Sequence, residues 1–259
     1  MTSLKDLDVT DSMQNNIKII RSIIADLGVD PNNPGSVTGA LEQKVKSTID
    51  ELDKKIDEIE DYFWRPLDSP EVYKMLKNLA ATIGEHDKVK KFDIKLNRIA
   101  ANDLEFKGRV QNFFGNNTEA LKYYEQALNL TSDHELATAG REKAVKSLSK
   151  ARTELPKLEK KLEDKPGDVK TLYKYALALL NLNRIDDSIK AFDKLLELDP
   201  TNPDAWAKCG NATESKGDYE GSKKYFDKAL EIKPSSSTAK RGKNYALYFL
   251  GELDAEQLE

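Results

Sequence analysis

VKTLYKYALALLNLNRIDDSIKAFDKLLELDPTN, residues 169–202, is followed at once by PDAWAKCGNATESKGDYEGSKKYFDKALEIKPSS, residues 203–236, and the second stretch repeats the first in outline. Leu172, Ala176, Phe192, Leu196, Leu198 and Pro200 return 34 residues later as Trp206, Gly210, Phe226, Leu230, Ile232 and Pro234. Each half reads as two amphipathic helices with a short break between them. A unit of this size has one apolar face too many to stand alone, and it buries that face by stacking on its neighbours.

The same phase runs outward in both directions. Units begin at 101, 135, 169, 203 and 237, with breaks between paired helices expected at Gly115, Ser149, Asn183, Gly217 and Gly251. Four of these five are Gly or Asn, the residues that tolerate the left-handed conformation at a helix end. Asp168, Asn202 and Ser236 share the spacing and stand where a side chain caps free N–H groups. Upstream, Ser69-Pro70 after Asp68 starts a shorter pair, Glu71–Ile83 and Asp87–Ile99 around Gly84, with Tyr73, Leu76, Ala80, Phe92, Leu96 and Ile99 facing inward.

These units resemble tetratricopeptide repeats. The family pattern sets small residues where helices approach closely and aromatics in the wider gaps. Trp206, Cys209, Gly210, Ser222, Phe226, Ala229 and Pro234 hold its places in the 203 unit, and Leu104, Gly108, Ala120, Tyr124 and Ala127 in the 101 unit. The resemblance covers about 101–259 well and 70–100 loosely. It implies an all-α fold, a right-handed α-solenoid of antiparallel helix pairs, with units of about 70–100, 101–134, 135–168, 169–202, 203–236 and a partial 237–259. The 135 unit departs from the pattern: its small-residue places hold Glu142, Glu154 and Lys161, which cannot be buried unpaired. A longer, irregular pair is expected there, with Pro156 in the first turn of its second helix.

Residues 1–66 lie outside the resemblance and form a separate acidic segment, with 67–259 as the solenoid. Met13, Ile17, Ile20, Ile24 and Leu27 make one stripe, which Gly28 ends; Val45, Ile49, Leu52, Ile56, Ile59 and Phe63 make another on a helix from about Thr38 to Phe63. Stepping by fours and threes, this reads as a helical hairpin folded onto its own protein or, with less support, as an intermolecular coiled coil.

Composition excludes several classes of function. A net charge of −4 offers no basic field for nucleic acid or an anionic membrane, and no apolar run reaches a membrane span. The charged Met1–Ser12 has no signal-peptide core, and one cysteine makes no disulfide framework, so a cytoplasmic home is expected. His86 and His134 fall in turns without metal-ligand partners at useful spacing, and Cys209 replaces a core residue. No phosphate loop, cofactor motif or metal site is present, so the expectation is no enzyme and no cofactor.

What remains is surface. By resemblance, the first helices of successive units line a concave groove for a peptide, and the groove positions map to Phe106, Arg109, Phe113, Lys143, Tyr173, Lys174, Leu177, Lys208, Asn211, Arg241, Tyr245 and Tyr248. Aromatics and cations without a single acid favour a partner segment carrying apolar anchors and carboxylates. No register reproduces the Lys/Asn, Asn and Lys/Arg set with which some family members clamp chaperone carboxylates. The function expected is a non-catalytic protein–protein interaction adaptor; the alternative is a self-associating scaffold, a homo-oligomer built through residues 1–66.

Overall fold

The computed structural model describes residues 7, 12–29, 39–63 and 69–253, and all eleven elements among them are α-helices. They are α1 (Met13–Asp26), α2 (Ala40–Phe63), α3 (Pro70–Thr82), α4 (His86–Phe114), α5 (Asn117–Leu130), α6 (Glu135–Asp164), α7 (Val169–Asn181), α8 (Ile185–Leu198), α9 (Pro203–Ser215), α10 (Tyr219–Ile232) and α11 (Ser237–Phe249). Of the sequence signals, the loop read over Val29–Ser36 lies, beyond Val29, outside the described residues, as do Asp68 of the Asp68-Ser69-Pro70 helix start and the side chains of Met13 and Phe63. None of the described helices is long and apolar enough to cross a membrane.

Two compact units result, residues 1–102 and 103–259. In the first, the two heptad-like stripes go into the chain's own core: Ile17, Ile20, Ile24 and Leu27 of α1 and Val45, Ile49, Leu52, Ile56 and Ile59 of α2 are buried with Tyr73, Leu76, Ala80 and Phe92. Against that core lies a ladder of ion pairs. Lys88 reaches Asp53 at 2.7 Å and Asp50 at 3.0 Å, Lys91 reaches Asp53 at 2.7 Å and Asp57 at 2.9 Å, and Lys95 reaches Asp57 and Glu60 at 2.7 Å each. Burial pulls the Lys88 and Lys91 ammonium groups down, but the carboxylates beside them outweigh it, and both stand above the ordinary lysine value.

The second unit holds the helical hairpins α7–α8 and α9–α10, followed by α11. Its expected caps are in place: Asp168, Asn202 and Ser236 accept from the amides of Lys170, Ala205 and Ala239 at 3.1, 3.0 and 3.3 Å. Gly115, Asn183, Gly217 and Gly251 have positive φ, and each sits at a helix end.

Two expectations fail, both for want of such a residue. Ser149 makes no break: α6 is one 30-residue helix and not a pair, with Pro156 in its interior. Leu148, Ser149, Lys150 and Ala151 are all compatible with helix, and none favours the left-handed turn that ends one. The misplaced Glu142 and Lys161 then lie exposed along α6, which removes the burial penalty without widening a hairpin. Similarly, no break separates the 70–100 and 101 units, because α4 runs 29 residues through Ala100 and Ala101.

Candidate functional site

Glycines set the closest helix approaches in the second unit. The ring of Tyr124 on α5 lies between Gly108 of α4 and Gly140 of α6, where a Cβ would come within 2.6 and 2.4 Å of it. Phe226 on α10 is held in the same way between Gly210 of α9 and Gly242 of α11, at 2.7 and 2.4 Å. Sequence reading found Gly108, Tyr124, Gly210 and Phe226 but not Gly140 or Gly242, whose partners come from the preceding unit.

The inner face expected to stand open along α7, α9 and α11 is partly filled by the chain itself. Asn211, fully buried, donates through Nδ2 to the Phe113 carbonyl at 3.2 Å. The Phe113 and Phe114 rings both sit 5.5 Å from Tyr245, and the Arg241 guanidinium lies 4.6 Å over Phe113. The turn after α4 rests on the end of α7, with Thr118 Oγ1 donating to the Asn181 carbonyl at 3.3 Å and Gly115 against Leu180. Aromatic residues at the end of α4 are large enough to fill that inner face, so part of the anticipated hollow is core.

The twelve groove positions therefore separate. Asn211, Arg241 and Tyr245 each meet Phe113. Tyr173 packs edge-on to Phe192 at 6.0 Å, and Tyr248 edge-on to Phe249 at 5.3 Å. Arg109, Lys143, Lys208 and Arg241 converge on a cleft of about 550 Å³, together with Leu136, Tyr124 and Tyr245. Phe106 sits beside it under the Arg109 guanidinium, 5.5 Å from its ring. The one carboxylate of the lining is Glu105, buried and 3.1 Å from Arg109. Lys208 is half-buried and, among the described residues, has no carboxylate within ion-pair reach. Burial depresses its ammonium, with Asp204 opposing from a distance. Lys174 and Leu177 line a different cleft, between α6 and α7.

The other singled-out groups have structural work. His134 Nδ1 caps α6 by accepting from the Ala137 amide at 3.3 Å. Cys209 is buried, its thiol 3.8 Å from Asp193 Oδ1, and burial pushes it up to about 12, which suppresses the nucleophilic thiolate. His86 is exposed at the start of α4. Among the described residues no group of three acid, histidine or cysteine side chains is arranged to hold a metal ion. Sequence reading missed Glu214 of α9, whose carboxyl is buried without a hydrogen bond and pushed up to about 9 by that burial. Nothing in the local pattern distinguishes it from a surface glutamate.

Residues 105–134 and 173–237 match models of the tetratricopeptide repeat. Among solved structures, YrrB, described as a TPR protein with an unusual peptide-binding site, is similar at 22% identity over 68% of this chain and 92% of that one, with a TM-score of 0.37. A MamA protein is similar at 18% over 60% and 84%, TM-score 0.39, and MamA from Desulfovibrio magneticus RS-1 at 16% over 87% and 99%, TM-score 0.33. No match was found among curated proteins.

Proposed function

This chain belongs to the tetratricopeptide-repeat proteins, a typically non-catalytic family that binds protein or peptide partners, and we propose that it is itself a non-catalytic, cytoplasmic adaptor. Its cleft of Arg109, Lys143, Lys208 and Arg241 takes a partner's peptide segment. Carboxylates of that segment engage the cations, and an apolar side chain anchors against Leu136 and Tyr245. Lys208 carries the reading. A half-buried ammonium without a counter-ion among the described residues is left partly desolvated, and a guest carboxylate restores what burial removed.

The test is a selection of displayed random 12-residue peptides on the full chain. Binders enriched in Asp or Glu with one Leu or Phe are expected, with affinity at least tenfold lower for Lys143→Glu/Lys208→Glu. Selected peptides that bind this variant as tightly place the site elsewhere.

The self-associating scaffold has less support. The stripes of α1 and α2 that it would need for an intermolecular seam are buried within the chain.

A further inference from the structure

The charges around the cleft on α4, α6, α9 and α11 narrow the chemistry of its guest. Of the charged side chains lining it, four are cations and one, Glu105, is an acid, so three positive charges are left over. Each cation comes from a different helix: Arg109 from α4, Lys143 from α6, Lys208 from α9 and Arg241 from α11. They are not the solvated face of one helix but meet only because four helices surround one cleft.

Both arginines are oriented by the chain's own side chains. The buried Glu105 accepts from Arg109 Nε at 3.1 Å, which engages that nitrogen and leaves the two terminal ones. The Phe106 ring lies 5.5 Å from the same guanidinium, and the Phe113 ring 4.6 Å from that of Arg241. A ring engages a guanidinium and still leaves N–H groups for another acceptor. Phe113 is itself fixed, since its carbonyl accepts from the Asn211 amide and its ring packs on Phe114 and Tyr245. Two oriented guanidinium forks therefore share the cleft with two ammonium groups.

A carboxylate uses only part of that set. It brings one negative charge and two oxygens, which match a single fork. A phosphoryl group on serine or threonine brings about two negative charges at neutral pH and three terminal oxygens, able to accept from both arginines and an ammonium together. Lys208 widens the difference, because a half-buried ammonium gains more from a dianion than from a monoanion.

We propose that the cleft of Arg109, Lys143, Lys208 and Arg241 recognises a phosphorylated serine or threonine in the partner's segment, so that the partner's phosphorylation sets whether it is held. The proposal rests on the adaptor reading above and adds the chemical state of the partner that is bound.

The probes are three fluorescein-labelled 12-residue peptides of Ala and Gly, each with one Leu and, two positions after it, Ser, Glu or phosphoserine. They are titrated into the full chain by fluorescence anisotropy. The phosphoserine peptide is expected to bind at least tenfold more tightly than the Glu peptide. Arg241→Lys keeps the charge and removes the fork, and the preference for phosphoserine over Glu is expected to fall below threefold. Inorganic phosphate is expected to displace the peptide only at concentrations at least tenfold above the peptide's Kd. Equal binding of the Glu or Ser peptide overturns this proposal alone and leaves the adaptor reading standing. A preference unchanged in Arg241→Lys, or displacement by inorganic phosphate at the peptide's own Kd, overturns it as well. Absence of binding by the phosphoserine peptide overturns it whatever the selection of random peptides returns, and that selection decides the adaptor reading separately.

Discussion

In the first unit the lysines of α4 interlock with the acids of α2, over a core of stacked aliphatic stripes. In the second, glycines and aromatic rings bring the helices together, and the lysines of α6 and α7 are left with nothing to hold. The same residue type is structural glue in one region and idle surface in the other. What separates the cases is the opposite wall: α2 carries a carboxylate at each turn facing α4, whereas α6 and α7 both present ammonium groups to one cleft.

That contrast can be broken or sharpened by substitution, each effect followed by hydrogen exchange in the unit concerned. The largest change is expected for Phe226→Ala, about 3–5 kcal/mol, because the ring fills the space between two glycines that cannot close over a cavity. Only the second unit should lose protection.

Glu214→Gln should stabilise that unit, and the sign depends on pH. The folded carboxyl holds its proton to about 9, whereas the unfolded one releases it near 4.5. The wild type is therefore not penalised below 4.5 and loses stability as pH rises through 9, by up to about 1.4 kcal/mol per pH unit in between. The variant's advantage should grow from pH 5 to pH 8.5 in thermal melts; a constant difference would mean that Glu214 gains a partner on folding.

Asp53→Ala should cost the first unit about 2 kcal/mol, less than a fully buried pair, since Lys88 and Lys91 remain partly in water. High salt should narrow the gap between variant and wild type. At the small end, Lys157→Ala and Lys174→Ala should shift stability by no more than about 0.5 kcal/mol, as both are exposed and neither ammonium pairs with a described carboxylate. A larger loss would place them in the same structural role as Lys88.

Much of this was legible residue by residue. The break at Gly217 follows from a glycine that accepts the needed positive φ without a Cβ penalty, and the caps at Asn202 and Ser236 from side chains of the right length at the right step. The fused α6 was half legible: Glu142 and Lys161 announced an irregular unit, but not that it would cease to be a pair. The candidate site was less legible still. Family positions pointed to Lys143, Lys208 and Arg241, yet Asn211 and Tyr245 went into contacts with Phe113, because the end of α4 reaches elements about a hundred residues away in the chain.

The sequence by itself determined the period, the helix ends and the core stripes, because these rest on backbone conformation and on side chains within a few residues of each other. Only the tertiary structure decided which of the described lysines have counter-ions, that the end of α4 covers α9 and α11, and that α6 and α7 bring their lysines to one cleft. Those outcomes depend on which surfaces meet across long stretches of chain, and local periodicity carries no record of that.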